Sequence, residues 1–336
     1  MIIQLDPTIS QEQKQEVTNQ VTSRKYKIRE VKTQYGEYLI GIGKDRFDIR
    51  KIGHLAGIRD IHIVSDSFKL VSDKWKVGKS VIDLGDDVKI GNGHFAIMAG
   101  PCSIEGEENI DKTIAHLKAN DVKIMRGGVY KPRSSPYSFR GLGLEGLKMW
   151  YKAARAAGIK IVTEVMQPSQ IEGMNDYIDM YQVGARNTQN FNLLDELGKV
   201  DKPVMIKRGI SGTIDELLHS AEYVFAAGNE KLLLCERGIR TYEKEYRNTF
   251  DINAIPILKE KTHLPVIADP SHGIGVRAHV SKVALASVVA GADGVIFEMH
   301  DKPEEAFSDG QQTLSNEESS KLIKEMRVLR DALSGF

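Results

Sequence analysis

The sequence predicts an α/β protein in which a small βαββαβ unit precedes a (β/α)8 barrel. Three observations carry that expectation. From Phe95 onward, eight short apolar runs alternate with amphipathic helical patterns. The runs are continuously apolar, as strands covered on both faces of a parallel sheet must be. Residues 1–64 follow a different rhythm, in which the strand-like pieces mix apolar with charged residues.

In the front part, Ile2 to Leu5 reads as a strand ended by Asp6-Pro7. Ser10 is placed to cap a helix to about Ser23, with Glu12 in its first turn and Val17 and Val21 on one face. Lys27 to Lys32 and Tyr38 to Ile42 flank Gln34-Tyr35-Gly36 as a hairpin. A short helix from about Asp48 to Leu55, closed by Gly57, and a strand from Ile58 to Val64 complete the unit, a split βαβ sandwich. Residues 65–91 form a linker whose Gly85-Asp86-Asp87 turn joins Ser80–Leu84 to Val88–Ile90 as a hairpin.

Residues 92–336 hold the barrel. Its expected strands are Phe95–Ala99, Val122–Met125, Lys160–Val165, Met180–Val183, Pro203–Lys207, Leu232–Cys235, Leu264–Ala268 and Gly294–Glu298. Between them lie helices such as Leu144–Ala157, Thr213–Ala227 and Arg277–Ala290, each followed by Gly. Eight such units fit a closed barrel of roughly 250 residues better than an open doubly wound sheet. Lys302 to Ser319 reads as a long loop after the eighth strand.

Composition narrows the function. The 336 residues carry 46 Lys+Arg against 46 Asp+Glu, so no global charge draws the chain to nucleic acid or an anionic membrane. Two cysteines cannot staple a disulfide scaffold. The opening residues lack a basic n-region, and no apolar run approaches the ~18 residues of a membrane span. A soluble, cytoplasmic protein without nucleic-acid or membrane partners is expected.

Barrel chemistry sits at the C-terminal ends of the strands. Arg126, Lys131, Arg133, Arg186, Lys207 and Arg237 fall there, on successive strand ends of a neutral protein. Cations gathered in one concavity repel, so they call for anions, with phosphates and carboxylates foremost. Cys102, His272, Glu298 and Asp309 bring sulfur, nitrogen and oxygen to the same mouth. Their spacing is not that of a short zinc motif, so the residues alone leave open a metal site or ordinary packing. Cys235, inside a strand, reads as core. His300 is open between a supporting and a purely structural role, and Asp269 and Glu236 read as groups that orient cations. Gly127-Gly128 and Gly141-x-Gly143 make no dinucleotide fingerprint.

Gly100-Pro101-Cys102-Ser103, Lys131-Pro132-Arg133-Ser134-Ser135-Pro136, Gly184-Ala185-Arg186, Lys207-Arg208-Gly209 and Asp269-Pro270-Ser271-His272-Gly273, in this order, resemble the DAHP (3-deoxy-D-arabino-heptulosonate 7-phosphate) synthases. The type is the one whose TIM barrel is close to that of 3-deoxy-octulosonate 8-phosphate synthase. The likeness spans roughly Gly91 to Phe336. The Lys-Pro-Arg run favours the heptulosonate enzyme over its eight-carbon relative, and Ser134 replaces the family's usual Thr while keeping a hydroxyl. The front unit resembles the ferredoxin-like regulatory extension of some members.

The resemblance implies condensation of phosphoenolpyruvate with erythrose 4-phosphate, the first step of the shikimate pathway. The alternative is the octulosonate enzyme, which takes arabinose 5-phosphate; a non-catalytic sensor built on the barrel is the other class. By carry-over, Arg126, Lys131 and Lys207 would hold the carboxylate of phosphoenolpyruvate. Arg186, Arg237 and the Ala185 N–H would hold its phosphate, and Arg133 and Ser134 the phosphate of erythrose 4-phosphate. Cys102, His272, Glu298 and Asp309 would bind one divalent metal ion, such as Mn, Fe, Co or Zn. Lys131 would donate a proton and Glu164 would place the attacking water. The resemblance also implies feedback by tyrosine or phenylalanine and a homo-oligomer, with a tetramer favoured.

Overall fold

The computed structural model describes residues 1–44, 47–131 and 137–333. The front unit contains β1 (Ile2–Leu5), α1 (Gln11–Thr22), β2 (Lys27–Lys32), β3 (Glu37–Ile42) and β4 (Ile58–His62). They form an antiparallel sheet in the order β2-β3-β1-β4, as a ferredoxin-like unit requires. Ser10 caps α1 as expected, in a reciprocal pair with Gln13. The expected helix over Asp48–Leu55 is instead one 3-10 turn, Ile49–Lys51. Asp48 bonds the Arg50 N–H and guanidinium, Gly53 within the span disfavours helix, and Gly57 turns to φ +86°. Burial of Phe47 and Ile52, rather than helical hydrogen bonding, fixes the segment.

Alternation along the strands gives the sheet two apolar faces. Ile3, Leu5, Leu39 and Ile61 pack beneath Val17 and Val21 of α1. Ile2, Val31, Tyr38 and Ile40 face the other way, toward Phe68, Leu70, Trp75 and the barrel.

The expected linker hairpin is present as β5 (Ile82–Asp83) and β6 (Lys89–Ile90). The barrel strands are β7 (Ala96–Gly100), β8 (Ile124–Gly127), β9 (Lys160–Val165), β10 (Met180–Val183), β11 (Val204–Lys207), β12 (Leu232–Glu236), β13 (Val266–Ala268) and β14 (Gly294–Glu298). All pair in parallel and close on themselves. Every expected run is therefore a strand, within two residues at each end. Helices α2 (Glu107–Ala119), α3 (Gly143–Ala156), α4 (Ile171–Met174), α5 (Phe191–Leu197), α6 (Ile214–Ala227), α7 (Ala254–Lys261), α8 (Pro270–Ile274), α9 (Arg277–Val289) and α10 (Asn316–Leu333) return the chain. The long last loop ends at Ser315, not Ser319. Ser315 and Glu318 cap each other across Ser315-Asn316-Glu317-Glu318 and start α10.

Inward side chains Met98, Ile124, Val162, Met205, Leu233, Cys235 and Ile296 fill the barrel, and Ile82, Val88 and Ile90 of the hairpin close its lower end. Cys235 is core, as read. The front sheet rests on α6, where Tyr38 meets Phe225 edge-on at 6.2 Å. Glu230 accepts from Thr33 and from Tyr38 Oη (3.3 Å) and pairs with Lys76 (3.3 Å). Glu230 precedes β12, so this attachment lies at the end of the barrel opposite its mouth. Among the described residues, no helix is long and apolar enough to cross a membrane.

His263 joins linker to barrel. Its ring is fully buried, with Nε2 donating to Leu70 O and Nδ1 accepting from Ser80 Oγ, both at 2.8 Å. Burial, aided by the charge of Lys76, pulls its pKa down to about 3. The unfolded ring titrates near 6.5, so between these values the unfolded chain binds the extra proton and stability falls as pH falls. The slope is at most about 1.4 kcal/mol per pH unit. Urea melts should show the advantage of wild type over His263→Gln shrinking by about 2 kcal/mol from pH 7 to pH 5. Parallel stability curves would contradict it.

Candidate active site

The C-terminal ends of the strands enclose a cavity of about 220 Å³. Its wall carries Arg126, Lys131, Arg186, Lys207, Arg237, Arg240 and Arg247 against the acids Glu164 and Asp309. Arg126 comes from β8, Glu164 from β9 and Lys207 from the end of β11; Ala185, Arg186 and Arg237 follow β10 and β12 directly. His272 lies on α8, whose Asp269 cap accepts from the His272 backbone N–H at 3.1 Å. Of the residues expected here, Arg133 and Ser134 lie outside the described residues. The others converge.

The cations differ in how far the protein satisfies them. Arg126 is buried and bonds Pro101 O (2.8 Å) and Glu298 Oε1 (3.1 Å), yet its Nε has no partner among the described residues. Lys207 pairs with Asp269. Arg237 is 6% exposed and, among the described residues, hydrogen-bonds only Gly238 O, at 3.3 Å, and burial pulls its guanidinium pKa down. Among the described residues, Arg186 and Arg240 pair with no carboxylate. A buried guanidinium with spare donors is stabilised by an anionic ligand.

The sulfur, nitrogen and oxygen donors meet on one side of this cavity. Cys102, Glu298 and Asp309 each offer an atom within 4.8 Å of the others. His272 Nε2 lies 3.4 Å from Glu298 Oε1 and 4.0 Å from Asp309 Oδ2. Its Nδ1 is held by Asp269 Oδ2 at 2.8 Å, which leaves Nε2 facing the cluster. Burial pushes the Cys102 thiol up to about 12, and Glu298 adds to that shift. Burial would also raise Asp309, but His272 and Arg247 outweigh it and hold that carboxyl below its usual range. Asp269 is held well below it likewise, as His272 and Lys207 overcome its burial. A thiol, an imidazole and two carboxylates are a donor set that suits a divalent transition metal. Crowded ionised carboxylates also call for a cation between them. The residues fit such an ion.

Lys131 stands between the two halves of the site, with Nζ 2.9 Å from Cys102 Sγ and 3.1 Å from Cys102 O. Glu164 occupies space that Gly184 leaves open, because a Cβ at 184 would collide with its carboxylate. Asp269 and Glu236 orient cations, as read: Glu236 accepts from Arg208 (2.9 Å) and from the Gly238 N–H (2.6 Å). His300 turns away from the cluster to Glu105 (3.3 Å) and Asn109 (3.2 Å), and so has a structural place. Sequence reasoning missed Gln182, Arg240, Arg247 and Asn248 in the wall, and Gln312 behind Glu298. Arg240 and Arg247 sit in the same loop as Arg237, and that shared loop was the available signal.

The model of the DAHP synthetase I family matches residues 74–334. Phospho-2-dehydro-3-deoxyheptonate aldolase of Thermotoga maritima is 45% identical over 334 residues, covering 99% of this chain and 98% of that protein. A crystal structure of the Thermotoga enzyme of that name aligns with a TM-score of 0.79 over 99% of this chain and 97% of the other. A truncated form of 3-deoxy-D-arabino-heptulosonate 7-phosphate synthase from the same organism is 47% identical, covers 80% of this chain and 98% of its own, and has a TM-score of 0.75. At 31% identity over 72% of this chain and 91% of the relative, 2-dehydro-3-deoxyphosphooctonate aldolase of Syntrophobacter fumaroxidans is more distant. With the family model spanning the barrel and a relative matching nearly end to end, this chain is an enzyme that belongs to the DAHP synthetase I family.

Proposed function

We propose that this enzyme condenses phosphoenolpyruvate with erythrose 4-phosphate and water, giving 3-deoxy-D-arabino-heptulosonate 7-phosphate and inorganic phosphate. The observation that carries the reading is the pairing of under-satisfied buried cations with a cluster of metal donors in one cavity. Phosphoenolpyruvate is a small dianion or trianion whose carboxylate and phosphate need two cationic subsites. Arg126, Lys131 and Lys207 take the carboxylate. Arg186, Arg237 and the Ala185 N–H take the phosphate, and Arg133 with Ser134 takes the phosphate of the aldehyde.

Cys102, His272, Glu298 and Asp309 would hold a divalent metal ion, which would supply positive charge at the aldehyde oxygen. C3 of the enol forms the new bond to the aldehyde carbon, and the aldehyde oxygen gains the proton that Lys131 Nζ gives up. Water, placed by Glu164, adds its oxygen at C2, the C2–O bond to phosphate breaks to leave a C2 ketone, and the two protons of the water go to the departing phosphate and back to Lys131. Asp269 keeps His272 and Lys207 in register by accepting from both. The enzyme acts in the cytoplasm at the head of aromatic biosynthesis.

The octulosonate reading is favoured by the 31% likeness to the Syntrophobacter enzyme, but Lys131-Pro132-Arg133 and the higher identity favour heptulosonate. An assay with both aldehydes tests this. Erythrose 4-phosphate is expected to give the higher kcat/KM, and a higher value with arabinose 5-phosphate would overturn the choice.

Residues 1–64 are the regulatory domain in this reading, responding to tyrosine or phenylalanine. Their own attachment is opposite the mouth, so closure over a barrel falls to front domains of neighbouring subunits in a tetramer. An effector shifts such an equilibrium only by binding the closed state more tightly. A chain starting at Lys79 is expected to stay active and lose the response to both amino acids. Removing the front sheet bares Phe225 on α6 and Glu230 just before β12, so a lower thermal midpoint is expected too. Inhibition of the shortened chain, or indifference of the full chain at millimolar effector, would reject the regulatory reading.

A further inference from the structure

Each carboxylate of the donor cluster has one oxygen turned inward and the other held from outside. Glu298 Oε1 faces His272 Nε2 (3.4 Å) and Arg126 (3.1 Å), while its Oε2 accepts from Gln312 Nε2 at 2.6 Å. Asp309 Oδ2 faces the Cys102 thiol at 3.1 Å, while its Oδ1 accepts from Arg247 Nη1 at 3.2 Å. The same Nη1 lies 2.8 Å from Gln312 Oε1. The two outer oxygens are thus joined through Arg247 and Gln312. Gln312 is 2% exposed and both ends of its amide are engaged, so its orientation is fixed by its partners.

We propose that Gln312 and Arg247 form one bridge that positions Glu298 and Asp309 to offer a single oxygen each to the metal. The inference rests on the metal reading above. Asp309 has φ +53°, a backbone conformation that non-glycine residues adopt rarely and that needs support from its surroundings. Arg247 supplies that support from another loop: it follows β12, as does Arg237, whereas Asp309 and Gln312 follow β14. The bridge therefore ties the loop carrying a phosphate-subsite arginine to the loop carrying a metal ligand. Groups that orient ligands from behind commonly govern metal affinity by 10- to 100-fold.

The test uses the full-length protein stripped by a chelator and titrated with Co2+, whose thiolate charge-transfer and d–d absorption report the ligand set. Gln312→Leu and Arg247→Met are each expected to weaken Co2+ binding by about 10- to 100-fold and to shift the d–d bands. The double variant is expected to lose less than the sum of the two, because they break one bridge. Arg247 is 39% exposed in its side chain, so Arg247→Met is expected to fold, with a metal-free thermal midpoint lowered only by the lost support to Asp309. That variant carries the test if Gln312→Leu does not fold. Wild-type affinity and spectra in the variants, or fully additive losses, would overturn the bridge while leaving the metal reading intact. Absence of a thiolate band in wild type would overturn the metal reading and the bridge with it.

Discussion

Lys131→Met should lower the single-turnover rate by about 10²- to 10⁴-fold, the range for loss of a positioned general acid. Lys131 Nζ lies 2.9 Å from Cys102 Sγ and in the wall of the cation-lined cavity, so it can reach both a metal ligand and a substrate oxygen. Gly128 leaves room for this reach, since a Cβ there would approach Lys131 Cδ at 2.7 Å. Met keeps most of the stem and removes the charge and the proton. The control is metal content, which should remain near stoichiometric. A wild-type single-turnover rate would remove Lys131 from proton transfer. Loss of metal in step with rate would assign it to holding the thiolate instead.

On the metal reading, Cys102→Ser should lose at least about 10²-fold in kcat, because several kcal/mol of charge stabilisation at the aldehyde oxygen would depend on a filled site and each 1.36 kcal/mol is tenfold. A hydroxyl is a much poorer ligand than a thiolate for a borderline metal, and burial that already disfavours the ionised thiol disfavours an alkoxide further. The anion subsites do not use Cys102, so phosphoenolpyruvate should still bind this variant, as seen by calorimetry. Full activity after exhaustive chelation would sink the metal reading. Loss of phosphoenolpyruvate binding would show that the two halves of the site are not separable.

The barrel was legible because its strands are buried on both faces and so print as continuous apolar runs; Leu232–Glu236 and Gly294–Glu298 are wholly buried. Strand ends in turn located Arg126, Lys207 and Glu298 without any contact information. Local capping chemistry worked where one side chain decides the outcome, as at Ser10. It failed at Asp48–Leu55, where helical spacing was outweighed by Gly53 and by burial of Ile52. The start of α10 was readable in Ser315-Asn316-Glu317-Glu318 but was absorbed into a loop that looked polar throughout. Gln312 was not legible, since Gln311 and Gln312 are chemically identical neighbours and only the path of the last loop buries the second. The attachment of the front sheet to the barrel was also out of reach, because Tyr38 lies nearly two hundred residues from Phe225 and Glu230.

The most direct measurement is phosphate release by the full-length protein from phosphoenolpyruvate plus erythrose 4-phosphate, before chelation, after it, and after divalent metal is restored. The expected result is release that requires both substrates, falls to background with chelator and returns with the metal. Release that ignores erythrose 4-phosphate, or that survives complete removal of metal, would contradict the account.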